Sequence, residues 1–172
     1  MISKRPRVVV RKSGRDLTIQ LVQHGAAGDT TIAAARALDL RNLGYKGGTG
    51  NIPAAYLTGF LFANRARAAG YSNGVLDMGL NANSRGSRIY AAVMGALEGG
   101  FDIPFDRKPL PAPERTRGEH IAAFADANPA RFSKYAIDPK GLPDHVDSMR
   151  REIFDGAERK GETAKTKGKD DG

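Results

Sequence analysis

The residues with chemical potential are few and scattered. Gly47-Gly48-Thr49-Gly50 stands just before a helix start at Asn51 and Pro53. Exposed glycine N–H groups beside a helix N-terminus can cradle a phosphate. The spacing is not that of a nucleotide motif. No Gly-Lys-Ser or Gly-Lys-Thr is present in the loop, and Pro53 stands where a dinucleotide fingerprint needs glycine. A phosphate of a nucleic-acid backbone fits the loop; a plain connection without ligand is the competing reading. Asp77 lies in a short apolar run at 75–80, where an acid needs a reason. It could ligate a metal in a phosphoryl-transfer site, but no second carboxylate is placed to join it, and capping a neighbouring loop is the simpler role. Glu98 reads as a surface or capping group.

His24, His120 and His145 are the only histidines. No two stand at metal-ligand spacing, and neither His24 nor His120 has a Ser, Cys or Asp spaced for catalysis. The absence of Cys excludes disulfides and thiolate zinc sites. No metal, cofactor or small-molecule substrate is expected, and no enzyme. The rival is a metal-dependent phosphoryl-transfer enzyme or nuclease built around Asp77. The lack of an acid or histidine cluster counts against it.

Positive charge is the larger signal. The 172 residues carry 27 Lys and Arg against 19 Asp and Glu, a net charge of +8 that points to a polyanionic partner. Arg5, Arg7, Arg11, Lys12 and Arg15 fall on one outer face of a hairpin without interleaved acids, which reads as a phosphate track. A membrane is disfavoured. The apolar run at 8–10 is too short for a signal peptide, and the longest apolar stretch, 52–63, is broken by Pro53 and Gly59. A cytoplasmic protein is expected.

The elements that must position these residues follow from periodicity. Residues 7–11 and 16–23 read as strands around a Ser13-Gly14-Arg15 turn, with Leu17, Ile19 and Leu21 alternating inward. A turn at 25–29, a third strand at 30–35 and a short helix ending near Gly44 come next. Asn51 caps a helix running to about Ala69, with Tyr56, Leu57, Phe60, Leu61 and Ala68 as its apolar face and Arg65 and Arg67 outward. A strand at 75–80 and a helix at 87–97 complete an α/β core, residues 1–104. Residues 105–118 read as a Pro-rich linker, 119–128 and 142–157 as polar helices, so that 105–158 form an extension. The charged tail, 159–172, is expected to be disordered in isolation. Tyr45, Tyr56 and Tyr90 read as core or loop anchors.

Five stretches resemble a known family. They are Arg11-Lys12-Ser13; Lys46-Gly47-Gly48-Thr49-Gly50-Asn51-Ile52-Pro53-Ala54-Ala55-Tyr56-Leu57-Thr58-Gly59; Val75-Leu76-Asp77-Met78-Gly79-Leu80; Gly95-Ala96-Leu97-Glu98-Gly99-Gly100-Phe101-Asp102-Ile103-Pro104; and Arg117-Gly118-Glu119-His120-Ile121. In order and spacing they are similar to the archaeal form of large-subunit ribosomal protein eighteen, itself close to the eukaryotic 5S-RNA-binding protein. The resemblance spans residues 5–121 and runs more loosely to 157.

It implies a small mixed sheet, hairpin plus a further strand, packed with helices and followed by a helical C-terminal extension. It further implies a structural role in the large subunit: binding 5S rRNA beside large-subunit rRNA, and building the central protuberance with large-subunit ribosomal protein five. The implied RNA face comprises Arg11, Lys12 and Ser13 on the hairpin and Lys46, Gly48, Thr49 and Asn51 in the loop. Arg85, Arg88, Arg115, Arg117 and His120 join it more distantly. Archaeal relatives usually carry an Arg-rich arm before the first strand, and here Met1 stands only a few residues ahead of it. Either the true start lies upstream or the arm is absent, and its contacts are not carried over.

Overall fold

The computed structural model describes residues 5–132 and 136–167, with side chains up to residue 156 except at 129 and 131. Four strands, β1 (Arg7–Lys12), β2 (Leu17–Gly25), β3 (Gly28–Arg36) and β4 (Val75–Asp77), form one sheet in the order β3-β2-β1-β4. β1 pairs antiparallel with β2, and β2 with β3; β4 joins β1 in parallel, so the sheet is mixed. Alternation decides which face is buried. Leu17, Ile19 and Leu21 point inward with Val8, Val10, Ala33 and Ala35, and all seven are buried. Each large apolar side chain so buried contributes about 1.5–3 kcal/mol. The second hairpin is longer than the sequence predicts, because Gly28 takes φ +121° and lets Ala26-Ala27 turn the chain alone.

Helices cover that inner face. α1 (Asp39–Asn42) ends before Gly44. α2 (Ile52–Ala68) starts where Asn51 Oδ1 accepts from the N–H of Ala54 at 2.9 Å. α3 (Arg88–Glu98) lies against α2. The apolar face expected of α2 is too narrow, and Ala68 does not belong to it. Ala68 is exposed, while Phe62, Ala63 and Ala66 are buried, since α2 is enclosed by the sheet, α3 and the C-terminal extension together. The strand expected at 75–80 stops at Asp77. Gly79 takes φ +59°, the carboxylate of Asp77 accepts from its N–H at 2.8 Å, and Leu80 is fully exposed.

In the extension, α4 (Pro113–Arg117) occupies part of the stretch expected to be linker, with Pro113 in its first turn. α5 (Glu119–Ala127) and two 3-10 turns, Pro129–Phe132 and Pro139–Gly141, lead to α6 (Leu142–Lys167). α6 passes Arg159, from which disorder is expected. Glu, Lys and Ala are strong helix formers, and adding residues to an existing helix avoids the nucleation cost. The end of that tail, 168–172, lies outside the described residues. Leu142, Val146, Met149 and Ile153 of α6 are buried in the same core as α2 and the sheet.

Candidate nucleic-acid interface

Two loops distant in sequence are tied into one unit. Between β1 and β2 the N–H of Ser13 donates to the Asp16 carbonyl at 2.9 Å, and the Asp16 N–H donates to Ser13 Oγ at 3.1 Å. Thr49 Oγ1, buried, donates to the Arg15 carbonyl at 2.6 Å. Arg88 Nη1 donates to the carbonyls of Ser13 at 2.8 Å and of Gly50 at 3.1 Å. The hairpin turn, the glycine-rich loop and the start of α3 therefore hold one geometry. Positive φ, the ordinary reason for glycine in such a loop, does not apply at Gly47, Gly48 or Gly50. Close approach does at Gly47 and Gly50. A Cβ on Gly50 would stand 2.6 Å from the Gly14 carbonyl oxygen, and one on Gly47 would stand 2.4 Å from the Tyr45 hydroxyl.

From the far side, α6 supports the loop. The His145 ring stacks on Tyr45 with centroids 5.5 Å apart, and its Nε2 accepts from the Lys46 N–H at 3.0 Å. Burial, and then the nearby Lys46, push the His145 pKa below its ordinary value while Glu152 opposes them; the neutral ring is the form that can accept.

The cations divide by what neutralises them. Arg7 is paired with Asp29 and stands 3.8 Å from Asp77; Arg11 reaches Asp77 at 3.4 Å. The hairpin lacks acids only along the chain, since β3 and β4 bring Asp29 and Asp77 beside it. His24 also shares Asp29, at 2.9 Å, and with Arg7 it holds that carboxyl below the usual range. Arg36 and Arg65 pair with Asp16 and Asp39, both at 2.7 Å. Lys12, Arg15, Lys46 and Arg41 are exposed, and no carboxylate of the described residues pairs with their side chains. Sequence reading had no signal for Arg41, a single basic residue on a one-turn helix.

The remaining expected residues lie apart from the hairpin–loop unit or serve it from within. Arg5 is exposed just before β1. Arg85 donates to the Lys108 carbonyl at 3.3 Å, and Arg115 stands beside Gly86, so these two sit where the loop before α3 meets the extension. His120 has its Nδ1 buried without a hydrogen-bond partner among the described residues; burial, then Arg115, lower its pKa. Arg117 pairs with Asp147 of α6 and with Glu119, each at 2.9 Å, and so ties helices together. Asp77, with Arg7, Arg11 and the Gly79 N–H around it, is an ion-pair partner and loop cap. Among the described residues, no group of three His, Asp or Glu could hold a metal.

Comparison with known proteins adds a family. Residues 2–72, which contain β1 to β3, α1, the glycine-rich loop and α2, match the family described as ribosomal large subunit proteins 60S L5 and 50S L18. Large ribosomal subunit protein uL18 of Methanococcoides burtonii is 42% identical over 154 residues, 90% of this chain and 82% of its own. The uL18 proteins of Methanothrix thermoacetophila and Halobacterium salinarum are 48% and 43% identical, over 72% and 89% of this chain and 73% and 84% of theirs. The chain belongs to this ribosomal protein family. Both halves of the hairpin–loop unit, from Ser13 to Gly50, fall inside the stretch that matches the L5 and L18 family, while Arg88 and His145 reach in from outside it.

Proposed function

We propose that this chain is a structural constituent of the large ribosomal subunit that binds 5S rRNA and helps form the central protuberance beside large-subunit ribosomal protein five. Membership of the L5 and L18 family makes it a large-subunit protein of the cytoplasmic ribosome, associated with rRNA. Direct RNA binding has its support in one observation, and the choice of 5S rRNA follows the resemblance of the five sequence stretches. The hairpin turn and glycine-rich loop are locked together by Arg88 and Thr49, and they present Lys12, Arg15 and Lys46 without acidic partners among the described residues.

Ser13 and Gly48 supply hydroxyl and backbone groups at the same place, Thr49 holds the loop to the turn through the Arg15 carbonyl, and Asn51 fixes the helix behind them. Arg5, Arg7, Arg11, Arg85, Arg88, Arg115, Arg117 and His120 belong to the wider interface. Those engaged with carboxylates orient and shape it more than they neutralise phosphates. Recognition is of folded RNA through phosphate, sugar and shape, because side chains read the deep, narrow major groove of duplex RNA poorly. The core, 1–104, holds the primary RNA surface; the extension, 105–158, buttresses it. We assign no catalytic step to the chain.

The experiment is a set of binding isotherms of the full chain with 5S rRNA across a salt series. Each phosphate neutralised steepens the log–log slope by roughly 0.7–0.9. Alanine at Lys12, Arg15 and Lys46 together is expected to weaken binding and flatten the slope by about two to three such increments. An unchanged slope in the triple variant would overturn the assignment of these cations.

A further inference from the structure

We propose that the groove between the β1–β2 turn, α1 and the glycine-rich loop receives an unstacked nucleotide of an RNA, with Arg41 as a third cation on its rim. This rests on the RNA-binding reading above and names what part of the RNA the site takes.

The groove is open to solvent and encloses about 930 Å³. Its wall is formed by Leu38, Ala136 and the backbone of Gly47 to Gly50, and its rim by Arg15, Arg41 and Lys46. Leu38 is 37% exposed, a large apolar side chain left facing the opening. The one acid in the wall, Asp16, is committed elsewhere. Its carboxylate takes Arg36 at 2.7 Å and the N–H groups of Leu17 and Leu38 at 2.9 and 3.3 Å. The groove thus joins an apolar wall to three cations without carboxylate partners among the described residues.

That combination selects among ligands. Bare phosphates along a duplex need charge but gain nothing from a concave apolar wall. A duplex also keeps its bases stacked inside and presents a convex surface. An unpaired nucleotide brings both complements: a base that stacks on a guanidinium plane and buries apolar surface against Leu38, and flanking phosphates that meet the rim. An apolar peptide segment would use Leu38, but it would leave three positive charges unanswered. The backbone of the glycine loop suits the same ligand, since a base edge can approach N–H and C=O groups that no side chain covers.

The test uses the full chain and transcribed 5S rRNA, probed at saturating protein with dimethyl sulfate and a carbodiimide, which modify unpaired base edges. Wild-type protein is expected to protect at least one unpaired base. Leu38→Ser and Arg41→Ala are each expected to expose that base again while the rest of the footprint stays. Leu38→Ser should weaken affinity several-fold, because an apolar contact with the base is exchanged for a hydroxyl. Arg41→Ala should weaken it several-fold and reduce the salt slope by about one increment, which Leu38→Ser should not. Both side chains are exposed, so thermal melts of the variants should match wild type. Unchanged base protections in both variants would sink the proposal even if 5S rRNA binds. So would unchanged RNA binding with lost association to another large-subunit protein, which would give the groove to a peptide. If wild-type protein leaves no footprint anywhere on 5S rRNA, the RNA reading itself fails.

Discussion

The guanidinium of Arg88 donates to two backbone carbonyls, Ser13 and Gly50, from segments that no other described arginine joins. Its two hydrogen bonds, one exposed and one part-buried, together contribute on the order of 1.5–3 kcal/mol. Arg88→Ala should therefore lower unfolding stability by about 1.5–3 kcal/mol and weaken RNA binding indirectly, by freeing the turn from the loop. Arg88→Lys should restore part of that loss, because a single nitrogen, Nη1, serves both carbonyls and an ammonium carries donors enough for the two. Arg15→Ala should do the reverse, leaving stability within about 0.5 kcal/mol of wild type while costing affinity. Denaturant melts beside binding isotherms separate the two. An Arg88→Ala protein that melts like wild type yet binds RNA poorly would make Arg88 a direct phosphate ligand. Sequence showed that Arg88 is basic. It could not show that its charge is turned inward, because Ser13 and Gly50 lie far away along the chain.

Between α2 and α3 the backbones almost touch. A Cβ on Gly59 would stand 1.8 Å from the Ala92 carbonyl oxygen, and one on Gly95 would stand 2.0 Å from that of Tyr56. Glycine inside a helix costs about 0.5–1 kcal/mol relative to Ala, so two of them on facing surfaces exchange helix propensity for close approach. Gly95→Ala should destabilise the domain by about 1–3 kcal/mol or more, the range for overpacking against atoms that cannot move aside. A thermal melt matching wild type would show that the helices can separate freely. Most element positions were legible because β2 alternates cleanly and Asn51 with Pro53 marks the α2 start. The breadth of the α2 buried face was not legible. It depends on α6, whose apolar residues follow some eighty positions later in a mostly polar stretch. The acids beside Arg7 and Arg11 were hidden for the same reason: strand pairing, not chain order, makes Asp29 and Asp77 their neighbours.

At the scale of the whole molecule, the extension and the RNA-facing loop are one mechanical object. Leu142, buried at the start of α6, would lie 3.1 Å from a Cβ on Gly47, and His145 one turn later accepts the Lys46 N–H at 3.0 Å. That contact exists only while the ring is neutral. In the folded chain, burial first and Lys46 second depress the His145 pKa below 6.5. Below about pH 6.5 the unfolded chain therefore binds a proton that the folded chain refuses, and stability must fall as pH falls, until the depressed folded value is passed. His120, depressed chiefly by its own burial, acts in the same direction. Asp29, already lowered, contributes only under more acidic conditions, below 3.8. Replacing His145 by Gln keeps an acceptor for Lys46 and removes the titration. The melting temperature of His145→Gln should accordingly fall less than that of wild type between pH 7 and pH 5, and the remaining fall should reflect His120. RNA affinity measured over the same interval should follow the same order, because protonation frees the loop that carries Lys46 and Thr49. Parallel pH curves for the two proteins, in both melting and binding, would mean that α6 holds the loop by Leu142 alone.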